Sequence, residues 1–117
     1  LLSIAAYPQS FSFSKVDFNP ESNFEKWAGA EVESFEHIPQ GLEALVIPAG
    51  LYAIFHYKGL NTDTGIFEFI HGVWLPDSPY TLDHRPHFEV LGDKYKNGDI
   101  NSEEDIYIPI RVKGKPL

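Results

Sequence analysis

The chain contains no cysteine and no methionine in 117 residues. Without cysteine there is no disulfide framework and no thiolate metal site, and the redox compartment leaves no mark on the sequence. A chain that opens at Leu1 reads as a processed or truncated piece of a longer protein. No apolar run approaches the roughly 20 residues that span a bilayer, and no charged-then-apolar leader is present. Basic residues are scarce: nine Lys and Arg stand against seventeen Asp and Glu, for a formal net charge of −8 and a pI near 4.9. Those nine are scattered, whereas a nucleic-acid surface needs them clustered. Neither direct nucleic-acid binding nor a membrane partner is therefore expected. The default location is the cytoplasm, and the acidic field favours cations.

What is present suits one globular domain over 1–117. Hydrophobic residues make up 43% and charged residues 22%, enough apolar surface to exclude disorder. Nine Phe, six Tyr and two Trp give 15% aromatics, which is either a ring-rich core or a binding surface built from rings.

Alternation and turn residues divide the chain. Segment 1–7 suits a strand, and 8–23 with its prolines reads as loop. From Phe24 to Glu33, Lys26, Ala28 and Ala30 alternate against Trp27 and Gly29, which sets the large Trp27 ring on the otherwise polar side. A turn at 37–42 precedes an apolar strand at 43–48, broken by Pro48-Ala49-Gly50. Strand 51–58 sets Tyr52, Ile54 and His56 against Ala53, Phe55 and Tyr57. Capping residues at 61–64 and apolar residues at Ile66, Phe67, Ile70, Val73 and Trp74 predict one helix, stopped by Pro76. Loop 76–86, strand 87–91, an acidic connection 92–105 and strand 106–112 follow. In that last strand Pro109 requires either an edge position or a point where no N–H is needed. The order predicts an α+β fold with an antiparallel sheet covered only in part by its helix.

The most informative segment is Pro86-His87-Phe88-Glu89-Val90-Leu91. Alternation points Glu89 one way and Phe88 and Val90 the other, and a lone acid among rings suits a greasy cation. A cation about 4 Å from Glu89 gains roughly 4 kcal/mol of Coulomb energy before desolvation at an effective dielectric near 20. Trp27, Tyr52 and Tyr107 would each add about 0.5–2 kcal/mol if they share its face. The alternative is a solvated acid on an open sheet. Trp74, at the helix end, is a ligand contact or a core ring. Tyr80 and Tyr95 fall in loops.

Five histidines raise the question of a metal. His84 and His87 have an H-x-x-H spacing, but Pro86 breaks the helix that would align them. On a strand His87 shares a face with Glu89, and His56 approaches only from a neighbouring strand. Asp99, Asn101 and Glu103 alternate as in a calcium loop but lack its glycine. No metal and no cofactor are expected.

Several motifs, in order, resemble the gyrase-inhibitor-like family, which also supplies the effector-binding domains of AraC-type and MerR-type bacterial transcription regulators. They are Ala28-Gly29-Ala30-Glu31-Val32, Ile38-Pro39-Gln40-Gly41-Leu42, Ile47 through Phe55, Trp74-Leu75-Pro76, Pro86-His87-Phe88-Glu89 and Ile106 through Ile110. The resemblance runs from 24 to 112. It implies two βαββ repeats about a pseudo-two-fold, a multidrug-type groove between them for small molecules, and Glu89 as its acidic anchor. The family's first strand and first helix have no counterpart here, so either an N-terminal segment or a second copy in a homodimer would supply the missing cover. No helix-turn-helix is present, which leaves a stand-alone domain or the effector part of a regulator.

The resulting expectation is a domain that binds amphipathic, cationic or neutral aromatic compounds through Glu89, Trp27, Tyr52, His56, Tyr107, His87 and Trp74. One alternative is a hydrolase of small electrophiles with Glu89 as base and Tyr107 or Tyr52 as proton donor, as the resemblance allows. Another is a protein-interaction module presenting an acidic face.

Overall fold

The computed structural model describes residues 1–6 and 25–114. The loop expected at 8–23 and the Phe24 position lie outside them. Six antiparallel strands form one sheet: β1 (Leu2–Ala6), β2 (Glu25–Gly29), β3 (Tyr52–Lys58), β4 (Tyr80–Leu82), β5 (His87–Val90) and β6 (Glu103–Val112). Their order is β2-β1-β5-β6-β3, with β4 paired to the far end of β6. One helical stretch lies between β3 and β4, made of α1 (Gly65–Phe69), a π turn (Ile70–Trp74) and α2 (Leu75–Asp77). The α+β class expected from the sequence is the observed one.

The ten residues of β6 organise the molecule. Its even positions Ile106, Ile108 and Ile110 are buried beneath the helix. They meet Ala53 of β3, Leu82 of β4, and Ile70 and Leu75 of the helix in a single cluster. Phe55, Ile66, Phe67, Trp74 and Tyr80 pack around it. Each fully buried Ile or Leu contributes about 1.5–3 kcal/mol through removal of apolar area from water.

The helix begins where Asp63 Oδ1 accepts the Gly65 N–H at 2.9 Å, so an aspartate caps it through an Asx turn and not Thr64. Pro76 does not end it. Proline has no N–H and crowds the carbonyl four residues back. The chain meets this by widening just before it, with the Leu75 N–H reaching back to the Ile70 carbonyl. The helix then closes one residue after the proline, at Asp77, where the Ser78 N–H and hydroxyl both donate to the Leu75 carbonyl.

Three further expectations need correction. Segment 43–48 is not a strand: 30–50 crosses the sheet without regular pairing, apart from a turn closed by the Leu42 N–H on the Pro39 carbonyl. A continuous apolar run has no period of its own, and here it covers a sheet face instead of joining an edge. The 24–33 strand is shorter, ending at Gly29. The expected loop 76–86 contains β4, too short at three residues for alternation to show. Pro109, for its part, lies inside the sheet, at the gap where the neighbour of β6 changes from β5, last paired at Tyr107, to β4, first paired at Ile110. Its missing N–H therefore breaks no rung of the ladder.

Ile108 is 1% exposed and Ile54, one strand away on the other face, is 56% exposed. Ile108→Ala should cost about 2–5 kcal/mol in urea unfolding, whereas Ile54→Ala should stay within about 0.5 kcal/mol.

Candidate functional site

Strand register decides which side chains meet. Residues directly opposite in paired strands share a sheet face. Glu89 lies opposite Ile106, so it stands on the helix side, while Phe88 lies opposite Tyr107 on the other. Across β1 and β2 the same rule places Ser3, Ala5 and Lys26 with Glu89 and His87. Ile4 and Trp27 fall with Phe88. The sheet thus separates Glu89 from Trp27, Tyr52 and Tyr107, and the single acid-and-ring groove expected from alternation is not assembled. The rings share one face and the acid lies on the other.

The helix-side cleft has a volume of about 410 Å³. Ile106 and Ile108 form its floor, Phe67 and His71 of the helix one wall, and Ser3, Ala5 and Lys26 the opposite one. His87 and Glu89 project from β5 into it, and Tyr95, expected only as a loop residue, closes an end. His87 is 8% exposed, and burial, reinforced by nearby His71, pushes its pKa down to about 3. Burial likewise lowers His71. The two imidazoles stack 6.3 Å apart as neutral rings at ordinary pH.

Behind Glu89 lies a residue that sequence reading missed. Glu104 of β6 is 7% exposed and lies on the same sheet face as Glu89, diagonally across the β5–β6 pairing. Burial comes first, then the hydrogen bond and the charge of Glu89, and together they raise the Glu104 pKa to about 8; Lys26 opposes weakly. Two carboxyls can share a hydrogen bond only if one keeps its proton, and Glu104 is the one that keeps it. Its Oε2 is buried with no partner. The sequence carried one signal for it: Glu104 continues the even-numbered, packed face of Ile106, Ile108 and Ile110.

The other face holds the rings. Phe88 and Tyr107 stack at 4.5 Å, and Tyr52 meets both edge-on at 5.4 and 6.1 Å. Phe88 and Tyr107 border a wider cleft of about 1330 Å³ between the sheet and segment 30–50, with Trp27 and Ile4 on its floor. Tyr52 is committed to structure. Its hydroxyl donates to the Pro48 carbonyl at 3.1 Å, and the Arg85 guanidinium lies 4.5 Å above its ring. Arg85 in turn donates to Asp83 and to the Leu51 and Ile110 carbonyls, tying the ends of β3 and β6 to the turn before β5.

Two more expected contacts lie elsewhere. His56 is exposed on the ring side, its nitrogens 2.8 Å from Asp105 and Glu103, and these bonds, Asp105 first, raise its pKa. It does not approach His87 or Glu89. Trp74 packs against the core, half-buried, edge-on to Phe55 at 5.1 Å and stacked on Tyr80 at 6.4 Å. Asp99 is used locally, accepting the Asn101 N–H and, through its carbonyl, the Ser102 N–H.

Two measurements check these electrostatics. In a histidine NMR titration, His87 should titrate near pH 3, His71 below 6.5 and His56 above it. Glu104, whose folded pKa lies above its unfolded value near 4.5, binds its proton more tightly when folded. Its contribution is complete below pH 4.5 and lost as pH rises to about 8. The buried His87 acts in the opposite sense, but only below 6.5. Above that pH wild type should therefore lose stability, by at most about 1.4 kcal/mol per pH unit from this group. Exposed His56 adds a change of the same sign. Glu104→Gln should flatten the Glu104 part, leaving only the shallow His56 slope in chemical unfolding.

Among the described residues no helix is long and apolar enough to cross a membrane. A family model described as integron-associated effector binding protein matches residues 5–110. Over 93 residues the chain is 30% identical to the transcriptional regulator BrlR of Pseudomonas aeruginosa. That alignment covers 78% of this chain and 34% of the regulator, so the chain spans about a third of its length. The motif resemblance, the antiparallel sheet with its flanking helix and the family match agree, and the chain belongs to the integron-associated effector-binding proteins of the gyrase-inhibitor-like group.

Proposed function

We propose that this effector-binding domain takes amphipathic cations in the helix-side cleft, with Glu89 as the charged anchor. The observation that carries the reading is the placement of the Glu89 carboxylate in a 410 Å³ cleft floored by Ile106 and Ile108 and walled by Phe67. Such a floor takes the apolar body of a ligand, and the acid takes its charge. The neutral histidines His71 and His87 add ring surface without adding positive charge to compete with the ligand. Lys26 at the opposite wall is the cleft's own cation, which a ligand charge at Glu89 must displace or outcompete.

In this reading the unit β3–helix–β5–β6 is one βαββ repeat, and β1 and β2 belong to a second that shares the cleft. The domain works as a sensor or sequestering module, alone or within a transcription regulator, in the manner that the similarity to a regulator suggests. Binding is favoured over hydrolysis because Glu89 and Tyr107 face opposite sides of the sheet, so they do not act on one substrate.

Calorimetry with two ligands of matched shape tests the proposal. N,N,N-trimethyl-2-naphthylammonium should bind wild type at least about tenfold more tightly than neutral 2-tert-butylnaphthalene, a difference of about 1.4 kcal/mol. Glu89→Gln should remove that preference. Equal binding of the two by wild type, or an unchanged preference in the variant, would reject the cleft as a cation site.

A further inference from the structure

The Glu89–Glu104 pair carries an inference that rests on the preceding reading and goes beyond it. A single carboxylate is enough to anchor a cation. Here it is backed by a second carboxyl on the adjacent strand, placed diagonally across the β5–β6 pairing on the same face of the sheet. The second carboxyl is more than nine-tenths buried, and its Oε2 has no partner among the described residues. A buried acceptor left without a donor costs about 1–3 kcal/mol. A ligand that brings N–H donors to the pair removes that cost, whereas one without N–H groups does not.

We propose that Glu89 and Glu104 form one proton-sharing anchor that selects cations bearing N–H donors, such as amidinium groups, and that binding expels the shared proton. In the empty site one proton holds two carboxyl groups together with a net charge of −1. When a planar amidinium enters, its N–H groups replace the O–H donor. The Glu104 O–H bond breaks, its electron pair stays on the carboxylate, and the proton passes to solvent buffer. Two carboxylates and one cation remain. A quaternary ammonium has no N–H to offer, so it meets the charge of Glu89 and leaves the Glu104 proton in place.

The groups that face Glu104 permit this. Glu89 comes from β5, Lys26 from β2 and Tyr57 from its opposite position on β3. Asp63, before the helix, acts on Tyr57, and the helix contributes His71 beside His87. The histidines are neutral through the neutral range and Tyr57 is raised above its ordinary value, so Glu104 is the member of this set that titrates between neutral and mildly alkaline pH.

Calorimetry of the 117-residue chain in two buffers of different ionisation heat reads proton release directly. With 2-naphthamidinium near neutral pH, wild type should release close to one proton per ligand, and affinity should rise by up to about tenfold per pH unit up to about 8. With N,N,N-trimethyl-2-naphthylammonium, release should be near zero and affinity flat. In Glu104→Gln, whatever amidinium binding remains should show neither the release nor the pH dependence. Amidinium binding by wild type without proton release, or release that persists in Glu104→Gln, overturns the shared anchor while the cation site stands. Because the wild-type measurement needs no variant, a Glu104→Gln chain that failed to fold would still leave the test decisive. Failure of wild type to bind either cation overturns the cation site and this inference together.

Discussion

The period-two alternation of β6, which pairs with β5, β4 and β3, is the constraint on which the other features depend. Side chains of a strand leave on alternate faces, so Glu104, Ile106, Ile108 and Ile110 commit to the helix side, and Tyr107 and Pro109 to the other. The helix packs on the isoleucines and fixes one face as core. Every neighbour is then sorted by register. Phe55 follows Ile106 and Ile54 follows Tyr107 on β3, while Glu89 follows Ile106 and Phe88 follows Tyr107 on β5. A slip of one residue at β5 would exchange the acid for the ring, so site chemistry and core packing are determined together.

That sorting gives the sheet two unlike sides. The helix side pairs an apolar floor with titratable groups whose protonation is set by burial: His87 kept neutral, Glu104 kept protonated. Low polarity makes charged forms costly, so a buried site holds the neutral forms until a ligand supplies compensating charge. The ring side is held by contacts that serve structure. Arg85 bridges three elements and lies over Tyr52, which removes Tyr52 from the set of side chains available to a ligand.

Local irregularities lie where the chain meets an obligation imposed from elsewhere. The π turn precedes Pro76, where a regular turn would drive the ring into a carbonyl. Pro109 occupies the gap between two partners of β6, where no N–H is required and its carbonyl accepts the Asp83 N–H. The apolar segment 43–48 stays outside the sheet although β3 is an edge, and the chain reaches β3 through Pro48 and Gly50, with the Tyr52 hydroxyl bonded to the Pro48 carbonyl.

Alternation and turn residues in the sequence by themselves determined the fold class, the strands at β1, β3 and β5, the 106–112 part of β6 but not its start at Glu103 within the expected acidic connection, the helix, and the sidedness of each strand, because these depend on local geometry alone. Ordered motifs gave the family. The sequence also placed His87 and Glu89 on one face of their strand and the isoleucines together on one face of β6. Only the tertiary structure decided which faces of different strands coincide, since that is set by register between segments distant in the chain. It moved Glu89 away from Trp27, Tyr52 and Tyr107, took His56 to an acidic pair at the rim, and packed Trp74 against the core. It also brought Glu104 to Glu89: the two are fifteen positions apart with no shared motif, and only the pairing of β5 with β6 makes them neighbours.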